Sequence, residues 1–270
     1  MKVGFIGAGN MVGAIVRGAV ASEGLRASDI FLTDRSGTSA PKLAEEVGAT
    51  ALTSNKKLAK NADVIVLGVK PYAVENVLSE ISEVLAGGEK LVVSLAAGKP
   101  LASLEKAAGA DVPIVRVMPN VNAAVGESMT GIARGSVATA DHVTMAKNIM
   151  ESVGRCLVIE EADFPVFSAL AGASPAWMYQ IVDDFARSGV KYGLTKNQAV
   201  AIVAQSMLGS AQMILDEAAA GGAAPANLID RVTSPGGTTI AGLLAAQQAG
   251  LAKALGAAVD ATVARDAELA

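Results

Sequence analysis

Cysteine and histidine are almost absent from this sequence, with Cys156 and His142 the only ones in 270 residues. One cysteine cannot form an intrachain disulfide or a cysteine-rich metal cluster, and one histidine cannot build a histidine-rich metal site. We therefore predict that the protein has no metal centre.

An excess of positive charge and a long apolar run are missing as well. Asp and Glu number 26 against 22 Lys and Arg, which gives a net charge of −4. This balance argues against nucleic acid as a partner, because phosphate binding requires a basic face. The mean hydropathy is high, at +0.42, but the apolar residues occur in short segments. Without an uninterrupted run of about 18 of them, we predict no membrane partner.

The N-terminal segment imitates a signal peptide, since Lys2 precedes a mostly apolar stretch. Gly7, Gly9 and Asn10 interrupt that stretch where a signal helix would be continuous. A strand, a turn and a helix explain the segment better. We therefore expect a cytoplasmic protein in a reducing compartment.

The sequence pattern differs between the first and the second part of the chain. Up to about residue 160, short apolar runs alternate with helical patterns, which indicates a parallel sheet with helical crossovers. The predicted strands are Lys2–Ile6, Ile30–Asp34, Val64–Val69, Leu91–Leu95 and Ile114–Val117, with weaker runs at Gly131–Ala133 and Cys156–Ile159. From about residue 162 the predicted elements are helices, at Phe164–Leu170, Ala176–Tyr192, Lys196–Ala220, Thr239–Ala249 and Leu251–Leu269. The sequence thus predicts an α/β domain over residues 1–160 and a helical domain over residues 161–270.

Two features near this boundary are expected to be structural. Cys156 is interpreted as a small buried apolar residue. Glu160 and Glu161 are adjacent carboxylates, and adjacent residues on a helix point apart, so we expect both to be solvated.

The first predicted strand runs into a glycine-rich turn and then a helix. Gly7 would bend the chain, and Gly9 would let the backbone approach a pyrophosphate at the helix N-terminus. The third position of this fingerprint is Val12 rather than glycine or alanine, so the packing of helix on strand must differ there. A plain tight turn is the alternative, but the strand–turn–helix context favours dinucleotide binding.

The end of the second predicted strand carries residues suited to either nicotinamide dinucleotide. Asp34 would accept hydrogen bonds from the ribose 2′-OH of NAD, whereas Arg35 and Ser36 would hold the 2′-phosphate of NADP. Asp34 would repel that phosphate unless it turns away, and Arg35 could also be a solvated surface charge. The pattern favours NADP and leaves NAD open.

Five motifs follow one another along the whole chain: Gly7–Met11, Val69–Pro71, Ser94–Gly98, Arg116–Asn120 and Thr233–Thr239. Each is weak alone, but together and in this order they closely resemble the pyrroline-5-carboxylate reductase family. The resemblance runs from residue 2 to about residue 268. It implies an N-terminal Rossmann-type domain and an all-helical domain that interlocks with a partner's to form a homodimer, in some members a pentamer of dimers.

The resemblance also implies a reaction and a cofactor site. The reaction reduces the C=N bond of Δ1-pyrroline-5-carboxylate with NAD(P)H and gives L-proline, the last step of proline biosynthesis. Together with the turn and the strand end described above, the expected cofactor residues are Gly7, Gly9, Asn10, Met11, Arg35, Ser36, Asn55, Val69, Lys70, Pro71, Ala96, Ala97, Gly98 and Asn120. Met118 and Pro119 would close the same wall. Because Lys70 precedes Pro71 at a strand end, we expect backbone contacts from it rather than base catalysis.

The segment Thr233–Thr239 directly precedes an apolar helical pattern. Backbone N–H groups freed by glycines, together with hydroxyls, form an anion nest that fits a small carboxylate, whereas an ordinary N-cap needs only one hydroxyl. Following the resemblance, the substrate residues are Ser234, Gly236, Gly237, Thr238 and Thr239. Thr239 is assigned the catalytic hydrogen bond to the ring nitrogen. That nitrogen is basic enough to be protonated before hydride arrives, so proximity would supply most of the rate.

Three positions depart from the family's usual pattern: Val12, the pair Val121 and Asn122 in place of Thr-Pro, and Trp177 in place of Tyr. They put the exact substrate preference in doubt, which leaves a reductase of a related cyclic imine as an alternative. A non-catalytic dinucleotide-sensing protein of the same fold is a rival from another class. A β-hydroxyacid dehydrogenase is a further rival. That family carries a catalytic Lys where this chain, over Gly172–Tyr179, has none.

Overall fold

The computed structural model of the chain describes residues 1–87, 89–109 and 111–269. It divides into two compact units, Met1–Gly172 together with Thr262–Ala270, and Ala173–Ala261. These units record which segments pack together, not which segments fold independently. The predicted domain boundary after residue 160 therefore stays a prediction.

The first unit is built on one eight-stranded sheet. Its strands are β1 (Val3–Ile6), β2 (Ile30–Thr33), β3 (Thr50–Ala51), β4 (Val64–Leu67), β5 (Leu91–Ser94), β6 (Ile114–Met118), β7 (Ser128–Arg134) and β8 (Gly154–Val158). Their spatial order is β3-β2-β1-β4-β5-β6-β7-β8. Strands β1 to β6 are parallel, β7 runs antiparallel to β6, and β8 is parallel to β7. Sequence reasoning missed β3, since two residues are too short for a pattern.

Seven helices cover this sheet in the described residues: α1 (Asn10–Ala21), α2 (Ser39–Val47), α3 (Asn55–Asn61), α4 (Val74–Leu85), α5 (Leu101–Ala108), α6 (Ala140–Met150) and α7 (Phe164–Phe167). Helix α4 shows why they form, because its buried residues Val74, Leu78, Ile81 and Leu85 recur at helical spacing on one face. Between them the helices bury both faces of the sheet.

The two faces carry separate hydrophobic clusters. Phe5 packs on one face with residues of α1 and α2, and Ile6 packs on the other with residues of α3 and α4. Successive side chains of a strand point to opposite faces, so central strands covered on both sides read as continuous apolar runs. The predicted parallel α/β fold is confirmed.

The second half of the chain is helical, as predicted, and residues 161–269 contain no strand. Its helices are α8 (Ser174–Lys191), α9 (Lys196–Ala219), α10 (Pro225–Val232), α11 (Thr238–Gln248) and α12 (Leu251–Leu269). Sequence reasoning missed α10. Between α7 and α8 the backbone makes a π-helical turn, Ser168–Ala173, where the sequence suggested a break between two helices. Pro175 has no N–H to donate to the carbonyl of Ala171, so the regular ladder cannot continue there.

The second compact unit has little core of its own. Within Ala173–Ala261, all of which the structure describes, the buried hydrophobic residues are Ala186 and Ala199. Helix α9 has a mean hydropathy of 1.3 in its most apolar stretch, of which 6% is buried within the chain. By length and composition alone α9 could cross a membrane, although polar residues such as Gln205 interrupt its apolar run. This unit therefore exposes many apolar side chains, a feature typical of interaction surfaces.

Candidate active site

The strand order creates a crevice at the carboxyl ends of β1 and β4. From β1 the chain turns back through β2 to β3, whereas β4, β5 and β6 extend on the other side, so the connections leave in opposite directions. Ligands of open α/β sheets bind at this kind of switch point. Backbone hydrogen bonds from Gly7 to Thr33 (2.8 Å) and from Gly68 to Ile6 (2.9 Å) hold the turns at its mouth.

A cleft of about 520 Å³ occupies this position. Its walls come from the β1–α1 turn and from the segments that follow β4, β5 and β6. The lining residues are Gly9, Asn10, Met11, Val12, Gly68, Val69, Lys70, Pro71, Leu95, Ala96, Ala97, Met118, Pro119, Asn120, Val121 and Gly172. The structure thus brings together most of the residues that the sequence assigns to a dinucleotide. Gly7 and Gly98 are not among the lining residues; both have the positive φ of tight turns, +97° and +69°.

The glycines of the first turn have separable roles. At Gly7 an added Cβ would lie 2.7 Å from the carbonyl oxygen of Gly68, so a side chain is excluded there. At Gly9 an added Cβ would meet nothing within 4 Å, which leaves open space over the backbone at the start of α1. An approaching pyrophosphate needs that space.

Val12 fits because the strand end facing it has no side chain. An added Cβ at Gly68 would lie 2.1 Å from a methyl carbon of Val12. The side chain missing from Gly68 therefore compensates for the larger residue at the third fingerprint position. Gly68 is a cleft residue that sequence reasoning missed. Its position directly after the apolar run of β4 could have identified it from the sequence.

The carboxylate of Asp34 is hydrogen-bonded to residues that follow it closely in the chain. It accepts hydrogen bonds from the hydroxyl of Ser36 and from the N–H groups of Thr38 (3.3 Å), Ser39 (3.2 Å) and Ala40 (3.2 Å). Partial burial by itself would raise the pKa of Asp34, but these hydrogen bonds hold it below its ordinary value. The acid thus caps the N-terminus of α2 and stays ionised.

A second, smaller pocket of about 330 Å³ adjoins this loop. It is lined by Asp34, Arg35, Ser36, Gly37, Pro41, Ala51, Leu52 and Thr53. Arg35 is exposed and has no ion-pair partner among the described residues. Its guanidinium group is therefore available to an anion in this pocket.

Asn55 lines neither of these two pockets. Its side-chain oxygen accepts a hydrogen bond from the hydroxyl of Thr33 (2.8 Å), and its amide nitrogen donates to Glu80 (2.8 Å). One amide hydrogen of Asn55 is left for a ligand. The expected contact of Asn55 with the cofactor stays a prediction.

Asn120 lines the cleft while it holds two backbone segments. It is buried, its side-chain oxygen accepts from the N–H of Asn122 (3.1 Å), and its amide nitrogen donates to the carbonyl of Ala171 (2.9 Å). That carbonyl is the one that Pro175 cannot bond. Asn120 therefore stabilises the π-helical turn beside the cleft, a role that sequence reasoning did not foresee.

Lys70 lines the cleft, and the backbone contact expected from it stays a prediction. Its carbonyl accepts a hydrogen bond from the N–H of Ala73 (2.9 Å) and closes the turn that begins at Pro71. The exposed side chain makes no ion pair among the described residues. Across the cleft, Ser94 accepts from the N–H of Ala96 (3.3 Å) and shapes the start of the next loop.

The substrate residues predicted from the sequence all lie in the second unit, at the start of α11. Gly237 is the N-cap residue and has no side chain with which to cap the helix. The N–H groups of Thr238, Thr239 and Ile240 have no acceptor within the helix, as in any first turn. In the described part of the chain, the hydroxyls of Ser234, Thr238 and Thr239 make no hydrogen bond. The ordinary hydroxyl cap, which was the alternative, is therefore not what the structure shows.

Two expectations about charged and sulfur groups are revised. Glu161 is only partly solvated: it accepts hydrogen bonds from the backbone N–H of Leu101 (2.7 Å) and from buried Arg116 (2.9 Å), and its side chain is 34% exposed. A charged residue inside the apolar run of β6 was the signal for this pair. Cys156 is half-buried rather than buried, and burial raises its thiol pKa to about 11, which keeps the thiol protonated.

Two family models match the chain. Residues 161–269 match the model described as pyrroline-5-carboxylate reductase dimerisation. Residues 2–98 match the model described as NADP oxidoreductase, coenzyme F420-dependent. The first model covers the helical half of the chain and the second covers strands β1 to β5; residues 99–160, which include β6, lie outside both.

Relatives extend the similarity over the full length. A pyrroline-5-carboxylate reductase of Methanosarcina acetivorans is 35% identical over 99% of this chain and 97% of its own. A solved reductase structure from Coxiella burnetii is 33% identical, with a TM-score of 0.94 over 100% of this chain and 98% of its own. A Plasmodium falciparum pyrroline carboxylate reductase, solved with NADP bound, is 27% identical with a TM-score of 0.85 over 100% of this chain and 98% of its own.

Proposed function

This chain belongs to the pyrroline-5-carboxylate reductase family, and on that premise we propose that it reduces the C=N bond of Δ1-pyrroline-5-carboxylate to L-proline with a nicotinamide dinucleotide. The observation that carries the proposal is similarity over 99% of the chain to a reductase of that name. The cleft at the switch point of the sheet supports it, because the chain's motifs for a dinucleotide converge there.

We propose NADP as the cofactor. In an NAD site the acid at the end of β2 would bind the ribose 2′-OH, but Asp34 already accepts hydrogen bonds from its own loop. Arg35 and Ser36 line the adjoining pocket, and Arg35 has no ion-pair partner among the described residues. Asp34 lines this pocket as well, but the hydrogen bonds that its carboxylate accepts reduce its repulsion of a 2′-phosphate. NADP bound in the Plasmodium falciparum structure is consistent with it.

Replacing Arg35 with alanine should affect the two cofactors differently. A hydrogen bond to a charged group contributes about 1.5–3 kcal/mol, so the KM for NADPH should rise roughly 10- to 100-fold. The KM for NADH should change less than about twofold, because NADH has no 2′-phosphate. Steady-state kinetics with both cofactors measure this. An equal rise for both would mean that Arg35 does not read the phosphate.

The residues of the cleft would hold the cofactor through backbone hydrogen bonds and through packing against small apolar side chains. The bare backbone at Gly9 and the N–H groups at the start of α1 would receive the pyrophosphate. Val69, Pro71, Ala96 and Ala97 would pack along the rest of the molecule, whose reduced nicotinamide supplies the hydride. The scarcity of charged side chains in this cleft suits a ring that must lie in a dry environment.

The segment Ser234–Thr239 would hold the substrate. Three hydroxyls and the uncapped N–H groups of the first turn of α11 offer donors for a carboxylate without any Arg or Lys. Thr239 would place its hydroxyl oxygen as acceptor for the N–H of the protonated ring nitrogen. The chain then needs no strong acid, and its contribution to the rate is the alignment of the C=N carbon.

The test of this function is the loss of NAD(P)H absorbance in the presence of pyrroline-5-carboxylate. We expect rapid oxidation that requires the substrate, with NADPH preferred over NADH. Tight NADPH binding with no turnover would favour the dinucleotide-sensing alternative. Faster turnover of another cyclic imine would favour the other alternative, toward which the departures at Val121 and Trp177 point.

We propose that the helical unit forms a homodimer. The family model for residues 161–269 supports homo-oligomers, and the near-absence of a core within Ala173–Ala261 requires a partner. A symmetric dimer would cover α9 and its neighbours, which accounts for the apolarity of α9 in a cytoplasmic enzyme without a membrane. Mass measurement in solution distinguishes a dimer from a pentamer of dimers.

A further inference from the structure

Arg116 is a buried cation close to the cleft that no role described so far employs. It lies on β6, is 7% exposed, and its guanidinium carbon sits 4.1 Å from the centre of the Phe164 ring. One of its terminal nitrogens donates to Glu161 at 2.9 Å. A buried charge is expensive to maintain unless it is paired, so this pair is under strong constraint.

Glu161 uses the same carboxylate oxygen to hold a helix that is distant in sequence. That oxygen accepts the backbone N–H of Leu101 at 2.7 Å, the first residue of α5. The residue before it, Pro100, provides no side-chain cap. Glu161 therefore supplies from elsewhere the negative group that a helix N-terminus favours.

These two contacts lie at the two ends of one loop. In the pairing of β5 with β6, Arg116 is directly opposite Ser94, the last residue of β5. Leu101, bound by Glu161, follows the loop at its other end. The loop between them, residues 95–100, places Ala96 and Ala97 in the cleft wall.

Arg116 also lies close in the chain to a second segment of the cleft lining. Met118 follows it by two residues on the same strand and therefore points to the same face of the sheet. Met118, Pro119 and Asn120 line the cleft. A shift of β6 would displace this wall together with the loop after β5.

We propose that Arg116 and Glu161 are positioning residues for cofactor binding: the ion pair fixes the loop 95–100 against the end of β6 and so sets the width of the cleft where the nicotinamide would lie. The proposal rests on the proposed reductase function. Neither side chain is among the residues that line the cleft at the switch point of the sheet. Their effect on the cofactor must therefore act through the walls.

The test uses the full-length protein and three variants. Arg116→Met removes the charge at similar size, Arg116→Lys keeps the charge, and Glu161→Gln keeps an oxygen for the N–H of Leu101 but weakens the pair. The NADPH dissociation constant is measured by nicotinamide fluorescence, and kcat and KM by turnover, all at least 15 °C below each variant's Tm. Arg26→Met is the control, since it breaks an ion pair with Asp29 just before β2, at the amino ends of the parallel strands and so at the end of the sheet away from the cleft.

We expect Arg116→Met to raise the NADPH dissociation constant roughly tenfold or more, with a lower kcat. Arg116→Lys should restore binding to within about threefold of the wild type, and Glu161→Gln should fall between. A lower Tm with unchanged NADPH binding and unchanged kcat in Arg116→Met would overturn the proposal, because the pair would then be structural only. Should Arg116→Met not fold, Glu161→Gln decides by the same two outcomes.

Failure of the proposal and failure of the proposed function are separable. If the wild type binds NADPH but does not turn over pyrroline-5-carboxylate, the function fails, yet the binding comparison still tests the ion pair. If the wild type turns over and the variants bind as it does, the ion-pair proposal alone fails.

Discussion

Replacing Thr239 with alanine is expected to lower kcat/KM for pyrroline-5-carboxylate by roughly 10- to 100-fold. The hydroxyl would lose a hydrogen bond to a charged ring nitrogen, and such bonds contribute about 1.5–3 kcal/mol. The fold should not suffer, because this hydroxyl is exposed and makes no hydrogen bond within the described residues. Initial-rate kinetics, with Tm measured in parallel, give the result.

Two matched variants make this result specific. Thr239→Ser keeps the hydroxyl and should retain most of the activity. Thr233→Ala removes a hydroxyl six residues earlier, one that bonds the carbonyls of Ile229 (3.1 Å) and Asp230 (3.3 Å) at the end of α10, and should leave kcat/KM within about twofold. If Thr239→Ala kept full activity, another group would have to contact the ring nitrogen.

Replacing Leu208 with glutamate is expected to separate the dimer. Leu208 is 61% exposed in the single chain and lines an apolar groove of about 460 Å³ between α8 and α9, together with Met178, Val200 and Met207. An unpaired charge in such an interface costs about 3 kcal/mol or more. A symmetric dimer carries the substitution twice, so the dissociation constant should rise on the order of 10⁴-fold.

Loss of the dimer should abolish measurable turnover. The helical unit buries too few apolar side chains to hold the segment Ser234–Thr239 in place by itself. Light scattering gives the mass, and the absorbance assay gives the activity. Val137→Glu is the control, an equal change at an exposed apolar residue of the first unit. A Leu208→Glu protein that stayed dimeric and active would place the interface elsewhere on the unit.

The α/β half and the helical half could both be predicted from the sequence, because the burial of an element determines the spacing of its apolar residues. Strands covered on both faces, such as Val64–Leu67, need apolar residues at every position, whereas α4 needs them only at helical spacing. Sequence reasoning missed β3 because this strand has only two residues. It missed α10 because the eight residues of this helix bury no side chain and so show no apolar pattern.

The candidate site also has features that the sequence predicts and features that only the structure shows. Glycines record where a backbone must turn or remain bare, so Gly7 and Gly9 were identified without coordinates. The orientation of a polar side chain leaves no such record. The sequence shows an acid at position 34 but not whether its carboxylate is free to bind a ribose. Only the structure shows that this carboxylate accepts hydrogen bonds from the N–H groups at the start of α2.

The sequence by itself determined the division into a parallel α/β half and a helical half, the glycine-rich turn after β1 and, through five motifs in order along the chain, the family. Those features depend on residues that are close together in the chain, where spacing constrains geometry directly. The tertiary structure decided which distant residues meet. It paired Arg116 with Glu161 across 45 positions, fitted Val12 against Gly68, and used Asn120 to satisfy the carbonyl of Ala171. Contacts of this kind depend on how strands and helices pack against one another in space, which the spacing of residues along the chain does not specify.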